Sequence, residues 1–143
     1  MGLSAEEQTQ RRSAVRAIMT KSPYIGSLGV VIERWEPEGV RIRLPFDPEL
    51  TNDGSVYHGG AVASLMDTAG AGAVWAGHDF DKGARAATVS MTVNYTGAAG
   101  NVDLVADAVC VKRGRDLAFS EIRVESPDGV LVATGTLVYR IVP

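Results

Sequence analysis

Residues 59–75 read GGAVASLMDTAGAGAVW. The stretch is rich in alanine, Val62, Leu65, Met66 and Val74 are spread through it, and no proline interrupts it. A helix built from it is apolar on nearly all sides, so it belongs in an interior. Gly70 and Gly72 weaken such a helix by roughly 1 kcal/mol each relative to alanine. They make sense where another backbone packs closely. One buried helix in a chain of 143 residues needs other elements around it, and the flanking sequence supplies strands.

Upstream, Ser4 and Glu7 have the spacing of a capping box and open a first helix. Val15, Ile18 and Met19 form its apolar stripe, Arg11, Arg12 and Arg16 lie elsewhere on its surface, and Ser22-Pro23 ends it. Residues 28–34 read as a first strand, Glu36-Pro37-Glu38-Gly39 as a turn and residues 40–44 as a second strand. In that second strand Val40, Ile42 and Leu44 alternate with Arg41 and Arg43, the period of a half-buried strand. The loop that follows, residues 46–57, carries the turn formers Pro48, Asn52, Asp53 and Gly54. Downstream, residues 86–95 set Val89, Met91 and Val93 against Thr88, Ser90 and Thr92. Residues 102–111, 118–125 and 130–141 read as three more strands, with a turn at Ser126-Pro127-Asp128-Gly129. The expectation is an α+β fold: an antiparallel sheet wrapped around one long central helix, residues 59–76, with a short N-terminal helix. It forms one domain over residues 1–143, of which residues 1–20 are a helical extension. A sheet in so short a chain has edges that a second copy can pair with.

Hydrophobic residues make up 45% of the chain and charged residues 22%, the balance of a water-soluble globular protein. The net charge of −3 lacks the basic footprint of a nucleic-acid binder. Cys110 is the only cysteine, which excludes a disulfide framework and a cysteine-rich zinc site. The first ten residues, MGLSAEEQTQ, have no apolar core of a secretory signal. No stretch is long and apolar enough to cross a bilayer. A cytoplasmic protein without a membrane partner is expected.

Chemistry concentrates around the start and middle of the central helix. The segment Asn52-Asp53-Gly54-Ser55-Val56-Tyr57-His58-Gly59-Gly60 runs from loop into helix. Two glycines at a helix start leave N–H groups uncovered, where the dipole also favours negative charge. Such groups can polarise a carbonyl, or they can simply permit a tight turn. Asp67 sits mid-helix among Leu65, Met66, Ala69 and Ala71. An ionised carboxylate there is costly unless paired. It can serve as a general base or nucleophile, or as a structural group bonded to Thr68, Ser64 or an arginine. Gly59 and Asp67 are eight residues apart, about 12 Å along a helix, too far for both to touch one carbonyl. If both act, Gly59 of one subunit meets Asp67 of another, with two helices side by side in an obligate dimer that the helix's small residues would suit.

Asn52, His58-Gly59-Gly60 and Asp67 form the pattern N-x5-H-G-G-x6-D. With it, the chain from about Tyr24 to Val142 resembles the phenylacetic-acid-degradation (PaaI-type) branch of hotdog-fold acyl-CoA thioesterases. The element order and the stretch Lys112-Arg113-Gly114-Arg115-Asp116-Leu117-Ala118-Phe119 share in the resemblance. It implies hydrolysis of an acyl-CoA to free acid and CoA, with CoA as part of the substrate and no cofactor or metal. Asp67 matches the acid that activates water or attacks the thioester, and the Gly59 N–H the group that polarises its carbonyl. Asn52 matches a residue that positions water or thioester from the facing subunit, and His58 the histidine beside the oxyanion site. Thr88, taken as lying on the polar side of its strand, matches a hydroxyl that assists the water. Gly60 and the turn Lys112, Arg113, Gly114 and Arg115 match the CoA-binding positions, where cations suit phosphates. The assembly implied is a homodimer, paired into a homotetramer. Ser55 stands where some relatives have glycine, with Gly54 one position earlier.

Two other functions fit the same fold: a non-catalytic acyl-CoA-binding protein and an enoyl-CoA hydratase. Outside the motif, His78 reads as a solvated loop residue, Cys110 as an inert thiol in a strand, and Trp35, Trp75, Tyr57 and Phe80 as packing residues. Two histidines with Asp67 do not have metal-ligand spacing.

Overall fold

The alternation of Val40, Ile42 and Leu44 becomes the inner face of a six-stranded antiparallel sheet. The computed structural model describes residues 1–37 and 39–143. Their elements, in order, are α1 (Ala5–Met19), α2 (Pro23–Leu28), β1 (Val31–Glu36), β2 (Gly39–Leu44), α3 (Gly59–Ala76), β3 (Arg85–Tyr95), β4 (Leu104–Arg113), β5 (Leu117–Glu125) and β6 (Leu131–Val142). The strand order across the sheet is β1-β2-β4-β5-β6-β3, so β1 and β3 are its edges. α3 packs against all six strands.

The register explains the core. Val40, Ile42 and Leu44 pair with Ala108, Ala106 and Leu104, and Ala106 and Ala108 pair onward with Val124 and Ile122. All of these side chains are buried against Leu65, Met66, Ala69 and Ala73 of α3. The outward positions carry ion pairs, such as Arg41 on Asp107 at 2.9 Å. Thirteen of the eighteen α3 residues are buried, as an all-apolar helix requires. The small residues have a local purpose: a Cβ on Gly70 would meet Leu137 and Ile122 at 3.1 Å, and one on Gly72 would meet Trp35 at 3.3 Å. The close approach that these glycines permit is therefore by side chains of the same chain, not by another backbone.

The structure differs from expectation at α1, α2, β1 and β4. The last runs from Leu104 to Arg113 and not over residues 102–111, so Lys112 and Arg113 end the strand and do not sit in the turn. Ser22-Pro23 does end α1, but Pro23 then opens a second helix as its first residue, where the missing N–H costs nothing. α2 takes in Leu28 and closes on Gly29 at φ 74°, so β1 begins at Val31 and not at residue 28. Ile18 is 66% exposed and leaves the stripe of α1, whereas Val15 and Met19 pack against Val74, Trp75 and Phe80. The expected capping box of Ser4 and Glu7 is present. Of the expected turn at residues 36–39, Glu38 lies outside the described residues.

Register shifts interrupt the regular alternation in four of the five strand pairs, and two of them bear on the site. In the β3–β6 pair, Thr88 faces Tyr139 while Met91 faces Leu137, with a register shift between Thr88 and Ser90. Tyr139 and Leu137 share the helix-facing side of β6, so Thr88 shares a face with Met91 and Val93. The sequence pattern had set it opposite them. The extra residue, Val89, reverses the parity. In the β4–β5 pair, a shift between Cys110 and Lys112 likewise sets Arg113 opposite the buried Ala118. One row therefore crosses four strands on the helix side: Arg113, Ala118, Tyr139, Thr88.

Candidate active site

α3 has one open stripe. Gly60, Ala63, Ser64 and Asp67 escape full burial, at the helical spacing of one face. Asp67 is thus half-buried at the inner end of a strip of small residues. Its expected local partners are engaged elsewhere: Thr68 donates to the Ser64 carbonyl and Ser64 to the Gly60 carbonyl. Instead, the Thr88 hydroxyl donates to Asp67 Oδ1 at 2.7 Å. The Val89 bulge makes this contact, because without it Thr88 would point away from the helix. One carboxylate oxygen is held, and the other has no partner among the described residues.

The helix start is built by its own loop. His58 is the N-cap of α3, and its Nδ1 accepts the Gly60 N–H at 2.8 Å. That nitrogen therefore carries no proton. The Gly59 N–H has no acceptor among the described residues. The two glycines are not equivalent: His58 occupies one N–H and leaves the other open beside the positive end of the dipole. Tyr95, at the end of β3, donates to the Gly59 carbonyl at 2.8 Å, and its ring lies 3.4 Å from where a Cβ on Gly59 would be. The loop before His58 is braced by Asp53, whose carboxylate takes the Ser55 and Val56 N–H groups and the Ser55 hydroxyl. The Val56 and Ser55 amides hold that carboxylate below its usual range. Gly54 takes φ 95° and Ser55 bonds to Asp53, so the glycine one place early and the serine after it fit one turn. Tyr57 anchors the loop through the Val102 carbonyl at 2.7 Å, and burial pushes its phenol up to about 12. Asn52 lies exposed on this loop, its backbone N–H bonded to the Val56 carbonyl.

At the other end of α3 lies a small cleft that is open to solvent on one side. Arg113, Gly114 and Arg115 line it, with Lys82 opposite; Lys112 does not. Arg113 is already committed in part, donating to the Val74 carbonyl at 3.0 Å and the Ala73 carbonyl at 3.3 Å. It caps the C-terminus of α3, where a cation belongs. Gly60 and these cations lie at opposite ends of an 18-residue helix, so they do not meet within one chain. His78 also lines the cleft and is 5% exposed, packed edge-on to Trp75 and Phe80. It is no solvated loop residue: its Nε2 bonds to the Gly83 carbonyl at 2.9 Å. Burial pushes the imidazole below its ordinary value, with Arg113 adding to the effect.

The structure thus joins Asp67 to Thr88, and groups His58, Gly59 and Gly60 at the helix start. It sets Arg113, Gly114 and Arg115 around the far cleft. Tyr95, Tyr139 and Lys82 were missing from the sequence reading. The strand pairing that brings the two tyrosines to the helix leaves no local signal, and Lys82 reaches the cleft from the short turn Phe80–Lys82. Among the described residues no cluster of His, Cys, Asp and Glu is arranged to hold a metal ion, and no helix is long and apolar enough to cross a membrane.

Comparison with known proteins adds to this geometry. The family model described as the thioesterase superfamily matches residues 54–133, which include Gly59, Asp67, Thr88 and Arg113. A Halobacterium salinarum protein named "Putative esterase" is 38% identical over 103 residues, covering 70% of this chain and 68% of that one. The solved thioesterase family protein from Silicibacter pomeroyi superposes with a TM-score of 0.82 at 26% identity, covering 94% of this chain and 98% of that one. A hypothetical thioesterase protein from Streptococcus pneumoniae, crystallised with coenzyme A, gives a TM-score of 0.73 at 18% identity, covering 89% of this chain and 95% of that one. The shared architecture is the hotdog fold.

Proposed function

The chain belongs to the thioesterase superfamily, and from that premise we propose that it hydrolyses acyl-CoA thioesters to the free acid and CoA, in the manner of the PaaI-type branch. The observation that carries this reading is the Asp67–Thr88 contact at 2.7 Å on the open stripe of an otherwise buried helix. A carboxylate in so apolar a setting needs a reason to be there. Its second oxygen is open to accept a proton from water or to attack a carbonyl carbon.

In the proposed reaction the thioester carbonyl accepts the open Gly59 N–H, which stabilises the oxyanion as the carbon becomes tetrahedral. Asp67 either takes a proton from the water that attacks the carbon, or attacks the carbon itself to form an anhydride that water then opens. Thr88 fixes its orientation, and the C–S bond breaks to release CoA thiolate, which takes up the proton given by that water. Gly59 and Asp67 lie about 12 Å apart on one helix, so the two act from different subunits. Two features support a dimer. β3 is an 11-residue edge strand with no buried residue, and Val89 and Tyr95 on it are 57% and 54% exposed. Such an edge calls for a cover. The stripe Gly60, Ala63, Ser64 and Asp67 is narrow enough for a second helix to approach. Asn52 then faces the neighbouring subunit's thioester. Arg115, Lys82 and the remaining N–H groups of Arg113, which line the cleft, hold the phosphate end of CoA against a chain whose net charge is negative.

The test is release of free thiol from short, long, aryl and hydroxyaryl acyl-CoAs, with Asp67→Asn and Asp67→Ala beside the wild type. Turnover that falls at least a hundredfold in both variants, with the fold intact, supports the assignment. Near wild-type turnover in Asp67→Asn removes Asp67 from the mechanism. Binding of CoA without hydrolysis of any of the panel makes the protein a binder.

A further inference from the structure

We propose that Tyr139 and His78 form a polar pair on the wall of the cleft that reads an amide of the CoA arm, Tyr139 donating to its carbonyl and His78 accepting its N–H. The inference rests on the proposed acyl-CoA reading and adds to it two residues outside the motif.

Position is the first argument. Tyr139 stands in the cross-strand row between Thr88, which holds Asp67, and Arg113, at the cation end of the cleft. With strands about 4.8 Å apart, it is one strand from Thr88 and two from Arg113. A thioester whose carbonyl lies near Asp67 and whose phosphates lie near Arg115 must run its arm past this point. That arm is a chain of methylenes broken by amides. The wall it would pass matches: Val74, Leu117, Ala118 and Ile141 are apolar, with Tyr139 and His78 the polar interruptions between them and the charged rim.

Hydrogen-bond capacity is the second argument. The Trp75 Nε1–H donates to the Tyr139 hydroxyl at 3.0 Å, occupying an acceptor site and leaving the phenolic proton with no acceptor among the described residues. A hydroxyl that accepts one bond is a better donor for the next. Burial, with Asp67 nearby, also pushes this phenol up, so it stays protonated. For His78 the logic is reversed. The Gly83 carbonyl can only accept, so Nε2 carries the proton and the neutral ring presents Nδ1 as a lone pair. Trp75 touches both rings, His78 edge-on at 5.1 Å and Tyr139 edge-on at 6.2 Å between centroids. One indole thus holds a lone donor and a lone acceptor beside the same cleft, and a secondary amide has the complementary pair.

The experiment compares Tyr139→Phe with the wild type on three thioesters of one acyl group: acyl-CoA, acyl-pantetheine and the thioester of a plain alkyl thiol without amides. A lost neutral hydrogen bond is expected to raise KM about five- to tenfold for the first two, with kcat little changed, and to leave the alkyl thioester unaffected. Trp75→Phe keeps the hydroxyl but not its brace, and should show the same substrate pattern at smaller amplitude. An equal loss on all three substrates makes Tyr139 a packing residue and overturns the proposal. So does a Tyr139→Phe enzyme with unchanged KM for acyl-CoA. Calorimetry with CoA separates this from the parent reading: wild-type protein that neither binds CoA nor cleaves its thioesters removes both, whereas wild-type binding with an unaltered Tyr139→Phe affinity removes only this one.

Discussion

Gly70 and Gly72 sit two residues apart in α3, so replacing either by alanine brings the same gain in helix propensity, about 1 kcal/mol. Their surroundings decide the rest. At Gly70 the new Cβ would lie 3.1 Å from Leu137 Cβ, Leu137 Cδ1 and Ile122 Cδ1. Leu137 Cβ is fixed to the backbone of β6 and cannot swing aside. The Gly70 carbonyl also accepts the buried Ser120 hydroxyl at 2.9 Å, so the helix cannot lift without loosening that bond. Overpacking of this kind costs about 2 kcal/mol, and Gly70→Ala should be about 1 kcal/mol less stable than the parent. At Gly72 only Trp35 Cζ3 is tight, at 3.3 Å, and Met19 and Val40 stand at 3.7 Å. The ring edge of the half-buried Trp35 can yield by a few tenths of an ångström, so Gly72→Ala should gain roughly 0.5 kcal/mol. For a chain of this length 1 kcal/mol corresponds to about 3 °C in melting temperature. The two variants should therefore melt about 5 °C apart, read by circular dichroism at one fixed protein concentration, since any association raises the melting point with concentration. Gly70→Ala melting at or above Gly72→Ala would refute the view that these glycines serve packing inside the chain.

Thr88→Val removes the donor to Asp67 and keeps the shape. It should lower kcat/KM ten- to a hundredfold, the worth of a hydrogen bond to a charged group, while Thr88→Ser keeps most of the rate; thiol release by a fully active valine variant would detach Thr88 from the chemistry. Arg113→Met retains the stem but strips the cap from the Val74 and Ala73 carbonyls. A drop of about 1–2 kcal/mol, or 3–6 °C, is expected, with Arg113→Lys between the two, and an unchanged melting point would show that water replaces the cap. His78 predicts a pH dependence. Its folded-state value lies below the 6.5 of a free imidazole, because burial opposes the charge and the nearby Arg113 and Lys82 oppose it too, against Asp79 and the Gly83 carbonyl. The unfolded chain therefore binds the proton first. Above pH 6.5 His78 contributes nothing, and stability falls as the pH drops below 6.5 until the folded ring also protonates. Melting followed from pH 7.5 to 5.5 should show this decline and lose most of it in His78→Gln; parallel curves for the two proteins would remove His78 as its source.

The layout of the fold was legible because it rests on the two plain periodicities. Val40, Ile42 and Leu44 alternate, residues 59–75 are apolar throughout, and both patterns survive in the structure. Asp67 stood out for the same reason, as a carboxylate where the pattern has no place for one. What escaped reading depends on pairing or on an extra residue. Proline after a helix looked like a stop; that it could also start α2 depends on how Leu28 packs into the core. Strict alternation sent Thr88 to the far side of β3 because nothing in Thr-Val-Ser marks Val89 as the residue that bulges. Arg113 could be read as a cation in a turn, but its capping of α3 requires knowing that Val111 is passed over in the β4–β5 register. His78 lies in a polar stretch and is buried nonetheless, because α1 covers it: Gln8 bonds to Asp79 and to the Phe80 N–H, and Arg12 bonds to the His78 carbonyl.

The two misread parities share a physical cause. A helix inside a curled sheet presents its groups along its own axis, and strands crossing it must turn particular side chains inward at particular heights. Regular pleating offers an inward side chain only at every second residue. An extra residue shifts that choice by one position, at the expense of one unpaired residue in the ladder. At Val89 the shift lets Thr88 reach Asp67 while Met91, Val93 and Tyr95 still face inward, and Tyr95 then meets Gly59. β3 therefore touches both Asp67 and the helix start, yet among its neighbours only β6 pairs with it along its length. An edge strand held on one side is the part of a sheet most free to fray. A site whose orienting groups sit on such a strand is ordered only as well as that edge is covered. This ties the proposed activity to the proposed dimer more closely than the 12 Å argument does alone: the second copy would supply the missing half of the site and also hold Thr88 and Tyr95 where the first half needs them.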